Sequence, residues 1–208
     1  MAATKNADVV LLAVKPFQVR EIVREIAPVL NAGQMVISVV TGISISDLLS
    51  ELPGTIAVFR AMPNTAIAIR ESMTCISYVQ ASKEQVDWVL NLFNQLGRVT
   101  LIDEKLMDAA TVLGACGTAY AMRYIRANIQ GGIEIGFDAA TASLIAAQTV
   151  KGAAELLLQK GTHPEYEIDK VTTPKGCTIA GLNEMEHQGF SSSLIKGISA
   201  SYLKIQTG

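Results

Sequence analysis

The chain has 208 residues, of which half are apolar and 17% are charged, so it can bury a substantial core and does not belong to the disordered class. A formal net charge of −2 without any basic run argues against a nucleic-acid partner. No apolar stretch is long enough to span a membrane, and the first residues, MAATKNADVV, lack the pattern of a secretory signal peptide.

The cysteines and histidines indicate a protein without disulfides or a metal centre. Cys75, Cys116 and Cys177 are odd in number, far apart and without CxxC spacing, which favours reduced thiols. His163 and His187 have no partner at the spacing of a metal site or a catalytic triad. We therefore expect a cytoplasmic protein that binds no metal.

The first half of the chain alternates predicted strands and helices. Unbroken apolar runs at 9–14 and 35–40 are typical of a parallel sheet that is covered on both faces. Between these runs, apolar residues at helical spacing predict a helix. Further strands are predicted at 55–60, 74–79 and 99–102. This is the pattern of half of a nucleotide-binding, Rossmann-like sheet.

Two capping signals predict where helices begin in this half. Ser44 is followed three residues later by Asp47, which predicts a short helix that ends near Leu52. Ser82 is followed by Gln85 in the same way, and that helix should stop before Gly97.

From residue 103 onward the pattern becomes helical only. The candidate helices are 104–113, 117–135, 138–159, 163–171, 177–188 and 191–205. We place the domain boundary near Ile102, with a partial dinucleotide-binding domain at 1–102 and a helical domain at 103–208. The predicted fold class is therefore α/β followed by all-α.

The helix predicted at 138–159 is rich in alanine and apolar over much of its circumference. Such a helix expects burial on several sides, which a domain of about a hundred residues can hardly supply alone. Two arrangements satisfy this demand: a dimer with intertwined helices, or a single buried helix within a monomeric bundle.

The stretch VTTPKGCTIAGLNEMEHQGFSSS at 171–193 predicts an anion site. Pro174 can open a helix, because its missing N–H would be unpaired there in any case. The N–H groups of residues 175–178 would then point outward at the positive end of the helix dipole. Thr178 adds one hydroxyl beside them. This combination suits a small acid whose reacting atom lies next to its carboxylate.

The same stretch resembles the C-terminal signature of the pyrroline-5-carboxylate reductases, and the resemblance covers nearly the whole chain. Four further segments occur in the family's order: LLAVKP at 11–16, SVVTGIS at 38–44, FRAMPNT at 59–65 and DAATVLGACGTAYA at 108–121. The resemblance implies hydride transfer from NADPH or NADH to the C=N bond of 1-pyrroline-5-carboxylate, which gives proline. It also implies dimerisation through the helical domain, often with larger rings of dimers, and so favours the dimeric arrangement.

The resemblance assigns the substrate contacts to three residues. Thr178 matches the threonine that hydrogen-bonds the imine nitrogen, and the backbone of Cys177 and Thr178 would hold the carboxylate. Cys177 stands where the family has a small residue, which favours a small packed side chain over a reactive thiol. Glu104 matches an acidic residue near the ring nitrogen, although it could equally favour the N-terminus of its own helix.

The resemblance assigns cofactor contacts to the ends of three predicted strands, where open α/β sheets bind their ligands. These residues are Val14, Lys15, Pro16, Val39, Val40, Thr41, Met62, Pro63 and Asn64. One departure concerns GACGTAY at 114–120, where the family usually has SGSGPAY. The serines and the proline of the family pattern are therefore replaced in this chain.

No GxGxxG motif occurs in the 208 residues. Aligned on LLAVKP, the family's glycine loop would lie before Met1, so we expect a chain that begins inside the Rossmann domain. The strand at 9–14 would then have an exposed edge. An alternative is a non-catalytic short homolog that acts only through self-assembly. A related β-hydroxyacid or imine dehydrogenase is disfavoured, because 117–135 contains no lysine.

We predict that the 208-residue polypeptide binds NADPH weakly or not at all, because a pyrophosphate loop supplies much of the dinucleotide affinity through its backbone N–H groups. Titration of the purified protein with NADPH, followed by fluorescence, measures this affinity. A micromolar dissociation constant would contradict the prediction.

Overall fold

The computed structural model describes residues 2–207 and confirms the predicted succession of an α/β part and a helical part. The five predicted strands are present, and none of their ends is displaced by more than two residues. The elements of the first part are α1 (Ala2–Lys5), β1 (Val9–Leu12), α2 (Pro16–Ile26), a 3₁₀ turn (Ala27–Val29), β2 (Met35–Ser38), α3 (Ile45–Leu49), β3 (Ala57–Met62), a 3₁₀ turn (Thr65–Ile69), β4 (Ser72–Val79), α4 (Lys83–Asn94) and β5 (Gly97–Leu101).

The second part is helical throughout, but the helix predicted at 104–113 is broken into shorter pieces. The elements are a 3₁₀ turn (Glu104–Leu106), α5 (Met107–Ala110), a π-helical turn (Thr111–Cys116), α6 (Gly117–Glu134), α7 (Ala139–Lys160), α8 (Pro164–Val171), α9 (Cys177–His187) and α10 (Phe190–Gln206).

The sheet has the strand order β1-β2-β3-β4-β5, with β1 at one edge. β1, β2 and β3 run parallel, as the apolar runs predicted, but β4 pairs with β3 in the antiparallel direction and β5 then runs parallel to β4. The prediction of a parallel sheet is therefore wrong at one junction. Residues 63–71, which join β3 to β4, are fewer than the dozen or so that a parallel crossover takes, so the chain turns straight back.

Both faces of the sheet are covered, which explains the unbroken apolar runs. On one face Val36 and Val58 are fully buried in a core that α2 and α3 complete. On the other face Ile37 and Phe59 are fully buried against α4. At the sheet edge Leu11 of β1 keeps 56% of its surface exposed.

The two predicted capping boxes are confirmed. The Ser44 hydroxyl accepts from the Asp47 N–H at 3.0 Å, and the Asp47 carboxylate accepts from the Ser44 N–H at 2.9 Å. Ser82 and Gln85 make the equivalent pair of bonds at the start of α4. Hydrogen bonds from Ser44 hold the pKa of the Asp47 carboxyl below its ordinary value, because they stabilise its charged form.

The chain divides into two compact units. The first unit runs to Thr118 and takes up the chain again from Ser201, and the second unit is Ala119–Ala200. The boundary near Ile102 stays a prediction.

The second unit buries little of its apolar surface. The buried hydrophobic side chains that the structure describes there are Ala142 and Ala146, both on α7. Leu144 of the same helix is 71% exposed. Other large apolar side chains of this unit are also exposed, among them Met122, Ile133, Ile135, Leu156, Val171 and Ile195. The burial that the composition of α7 demands is therefore not supplied within this unit.

Within residues 2–207, no helix is both long enough and apolar enough to cross a membrane.

Gly97, the first residue of β5, occupies a position that leaves no room for a side chain. Its φ is +139°, and an added Cβ would lie 2.1 Å from the Ser72 carbonyl oxygen of β4. We expect Gly97→Ala to lower the free energy of unfolding by roughly 2–5 kcal/mol, as the sum of backbone strain and overpacking. Urea denaturation measures the change.

Gly54 offers a matched control, since an added Cβ would meet no atom within 4 Å. Gly54→Ala should leave the stability unchanged or raise it slightly. Equal stability of the two variants would contradict this account of the β4–β5 junction.

Candidate active site

The ends of β1, β2 and β3 lie at one edge of the first unit, because the three strands are parallel. The Val39 N–H donates to the Leu12 carbonyl at 3.0 Å, and the Thr41 hydroxyl donates to the Met62 sulfur at 3.9 Å. The structure therefore brings the three groups of predicted cofactor residues, 14–16, 39–41 and 62–64, to the same edge of the sheet.

These residues differ in what they can offer a ligand. Thr41 is exposed, and its hydroxyl donates to the Met62 sulfur. Val40 is 3% exposed and packs in the core with α2 and α3, so only its backbone could contact a cofactor. The side chain of Lys15 is exposed, and its N–H donates to the Gln18 side chain at 3.2 Å where α2 begins. The edge is therefore mainly a backbone surface with a few polar side chains.

Asn64 fastens the end of β3 to two other segments. Its N–H donates to the Ser72 hydroxyl at 3.0 Å, and its Oδ1 accepts from the Ala66 N–H at 3.0 Å. Its Nδ2 donates to the Gly114 carbonyl at 3.0 Å. Asn64 thus caps the following 3₁₀ turn and also holds the π-helical turn 111–116.

The π-helical turn breaks the helix that was predicted at 104–113. Its hydrogen bonds span five residues instead of four, so the regular α-helical pairing of carbonyls is interrupted and side chains supply donors. The Thr111 hydroxyl donates to the Met107 carbonyl at 2.8 Å, and the Thr118 hydroxyl donates to the Ala115 carbonyl at 2.7 Å. Such turns are frequent at functional sites.

Glu104 is the first residue of its 3₁₀ turn, and its carboxylate also makes contacts that the sequence did not predict. Its Oε1 accepts from the Ile45 N–H at 2.6 Å, at the start of α3, and lies 3.5 Å from Nη1 of Arg60. Arg60 also reaches Asp108, with 3.4 Å between Nη2 and Oδ1. The Glu104 carboxylate therefore joins the start of α3 to strand β3, and Arg60 extends the cluster to Asp108 of α5.

Arg60 is the structural residue that sequence reasoning missed. Its side chain is 6% exposed, and within the part of the chain that the structure describes its Nε has no hydrogen-bond partner. The available signal was an arginine at the end of an otherwise apolar predicted strand, because a charge in such a place requires an opposite charge nearby.

The stretch after α8 forms a tight turn and then helix α9. The Gly176 N–H donates to the Thr173 carbonyl at 2.9 Å, and Lys175 has a φ of +61°, which is the mark of a type II turn with Pro174 in its second position. The prediction that Pro174 opens the helix is therefore wrong, since α9 begins at Cys177 with Gly176 as its N-cap. The fixed φ of proline suits either place, and the turn uses it.

The predicted anion site has fewer donors than expected, because Lys175 and Gly176 both lie before the first residue of α9. The N–H of Gly176 is used inside the turn, whereas among residues 2–207 no side chain caps the N-terminus of α9. Cys177 is exposed and Thr178 is half-buried, so both stand at this terminus with access to a ligand. An added Cβ on Gly176 would lie 2.4 Å from the Thr173 hydroxyl and 3.0 Å from its carbonyl oxygen, which requires glycine at this turn.

The predicted residues are distributed over both units. The cofactor residues and Glu104 belong to the first unit, and Cys177 and Thr178 belong to the second. In the described part of the chain, no group of three His, Cys, Asp or Glu side chains could hold a metal ion.

Two known protein families match this chain, one in each part. Residues 104–207 match a model described as pyrroline-5-carboxylate reductase dimerisation, and residues 1–42 match one described as NADP oxidoreductase coenzyme F420-dependent.

Curated relatives carry the same name. Pyrroline-5-carboxylate reductase 1 of Dictyostelium discoideum is 46% identical over 96% of this chain, and pyrroline-5-carboxylate reductase 2 of that organism is 43% identical over 97%. This chain spans 38% of the length of the first protein and 72% of the second.

Solved structures agree with these relatives. A Plasmodium falciparum pyrroline carboxylate reductase with NADP bound has a TM-score of 0.89 and 25% identity, over 98% of this chain and 78% of that one. The Coxiella burnetii pyrroline-5-carboxylate reductase has a TM-score of 0.93 and 27% identity, over 99% of this chain and 77% of that one. Together with the relative that is 43% identical over 72% of its own length, these matches mean that the chain belongs to the pyrroline-5-carboxylate reductase family.

Proposed function

We propose that this polypeptide reduces the C=N bond of 1-pyrroline-5-carboxylate with NADPH or NADH and so produces L-proline. The observation that carries the proposal is the start of α9, where uncapped backbone N–H groups and the Thr178 hydroxyl stand together. Such a terminus attracts a carboxylate without any cationic side chain. Membership of the family supports the same reaction.

The substrate carboxylate would bind the backbone N–H groups of Cys177 and Thr178. The Thr178 hydroxyl would then donate to the imine nitrogen, which gains electron density as the neighbouring carbon is reduced. Glu104 would assist near the ring nitrogen, although its Oε1 also serves the Ile45 N–H and Arg60. In this proposal Cys177 contributes its backbone and a small side chain.

The cofactor would bind along the strand ends of the first unit. Val14 to Pro16 and Val39 to Thr41 would contact the ribose and phosphates, and Met62 to Asn64 would lie near the nicotinamide. The backbone of this edge and the Thr41 hydroxyl would make these contacts. The 208 residues contain no GxGxxG motif for the pyrophosphate. When bound, the nicotinamide supplies the hydride, and the protein orients and polarises the substrate.

The proposed assembly is a homodimer formed through the second unit, with larger rings of dimers. The matching family model describes a dimerisation region, and the exposed apolar side chains of this unit need a covering surface. A cytoplasmic location and the absence of nucleic-acid and membrane partners complete the proposal. The alternative, a short homolog that assembles without catalysing, is favoured only by the missing glycine loop.

The test is an assay of proline formation with NADPH raised to millimolar concentration, on the wild type and two variants. Thr178→Val removes the donor at constant shape, and we expect the turnover number to fall by about 100- to 1,000-fold. Thr178→Ser keeps the hydroxyl and should retain most of the activity. Equal activity of the valine variant would remove Thr178 from the mechanism, and an inactive wild type that still dimerises would favour the non-catalytic alternative.

A second prediction concerns the turn that precedes α9. Gly176→Ala forces Thr173 aside, because the new Cβ would lie 2.4 Å from the threonine hydroxyl. We expect the KM for 1-pyrroline-5-carboxylate to rise by about tenfold or more, since the backbone donors lose their position.

The double variant Thr173→Ala with Gly176→Ala is the matched control, because it deletes the hydroxyl that the new methyl group would meet. It should recover part of the lost affinity, whereas Thr173→Ala alone should change the KM little. A double variant as impaired as the single one would argue against a steric cause.

A further inference from the structure

The proposed function gives the side chain of Asn64, in the first unit, no specific physical role. Its amide is committed at both ends to backbone groups, with Oδ1 on the Ala66 N–H and Nδ2 on the Gly114 carbonyl, each at 3.0 Å. Its own N–H is fixed by the buried hydroxyl of Ser72. These three bonds determine both the position and the rotation of the side chain.

The bond to Gly114 differs from the other side-chain bonds of the π-helical turn. The hydroxyls of Thr111 and Thr118 donate to carbonyls three or four residues away, within the same segment. The bond from Asn64 to Gly114 spans 50 residues, and Asn64 is the second residue after the end of β3. It therefore ties the turn to the edge where the strands end.

The π-helical turn interrupts the regular α-helical pairing, so contacts from outside the segment can contribute to its conformation. A glycine at position 114 adds conformational freedom, and no atom lies within 4 Å of where its Cβ would be. An external donor is thus the contact that selects one conformation of this segment relative to β3.

We propose that Asn64 acts as a positioning residue, which sets the π-helical turn 111–116 against the end of β3 and thereby aligns GACGTAY at 114–120 for the reaction. The inference rests on the proposed function and deepens it. It differs from the assignment of Asn64 as a cofactor contact, because the effect passes through the Gly114 carbonyl.

The deciding variant is Asn64→Ser. Serine is as good an N-cap as asparagine and can still accept from the Ala66 N–H, but it cannot reach Gly114. We expect backbone amides in 111–118 to exchange about five- to tenfold faster with deuterium, since one part-buried hydrogen bond is lost. We expect the turnover number to fall by about 10- to 100-fold through misalignment.

Two further variants keep the test decisive. Thr118→Val removes the Ala115 bond of the same turn and should shift exchange and turnover in the same direction, even if the serine variant folds poorly. Ser82→Ala removes a cap of comparable strength at the start of α4 and should change neither, which controls for general destabilisation.

Two outcomes would overturn the proposal. They are unchanged exchange of 111–118 in Asn64→Ser, and equal effects of Ser82→Ala. A wild type without turnover would refute the proposed function instead, and exchange would still decide whether Asn64 holds the turn.

Discussion

A buried guanidinium organises the first unit. Arg60 lies on β3 beneath the start of α3, where Glu104 and Asp108 face it. Burying a charge costs several kcal/mol unless opposite charges and hydrogen bonds surround it, so the segment that carries both acids must stay close to the sheet. Because the Glu104 carboxylate also accepts from the Ile45 N–H, the same contact fixes the loop that follows β2. The cluster therefore holds together β3, the start of α3 and the segment that follows β5.

A second constraint acts at the other candidate region, the start of α9. Lys175 holds a left-handed backbone conformation, which costs a non-glycine residue about 1–2 kcal/mol. The turn places Gly176 as an N-cap without a side chain, so the donors of the first helical turn remain unpaired by the protein. Strain and unpaired donors at one point are typical of a site whose missing partner is a ligand. Thr178, the second residue of α9, adds a hydroxyl beside these amides.

The apolar composition of the second unit indicates that it packs against a further surface. Within this unit, α7 approaches α6 closely at Ala142. A Cβ added to Gly132 of α6 would lie 3.1 Å from the Ala142 Cβ. The remaining apolar faces of α6 to α10 stay exposed. A surface of this kind fits the match to a dimerisation model over residues 104–207.

Local chemistry made much of this fold predictable from the sequence. These features depend on neighbours within four residues. They are the capping boxes at Ser44 and Ser82, the apolar runs of β1 and β2, and the helix starts at Asp138 and His163. The reversal of β4, the π-helical turn, the bond from Asn64 to Gly114 and the contacts of Glu104 with Arg60 and Ile45 depend on residues 13 to 59 positions apart or on packing. The sequence by itself therefore determined where most of the strands and helices lie and which residues are candidates for the chemistry. Only the tertiary structure decided the direction of β4 and the partners of the buried polar groups, because those follow from contacts that no local pattern encodes.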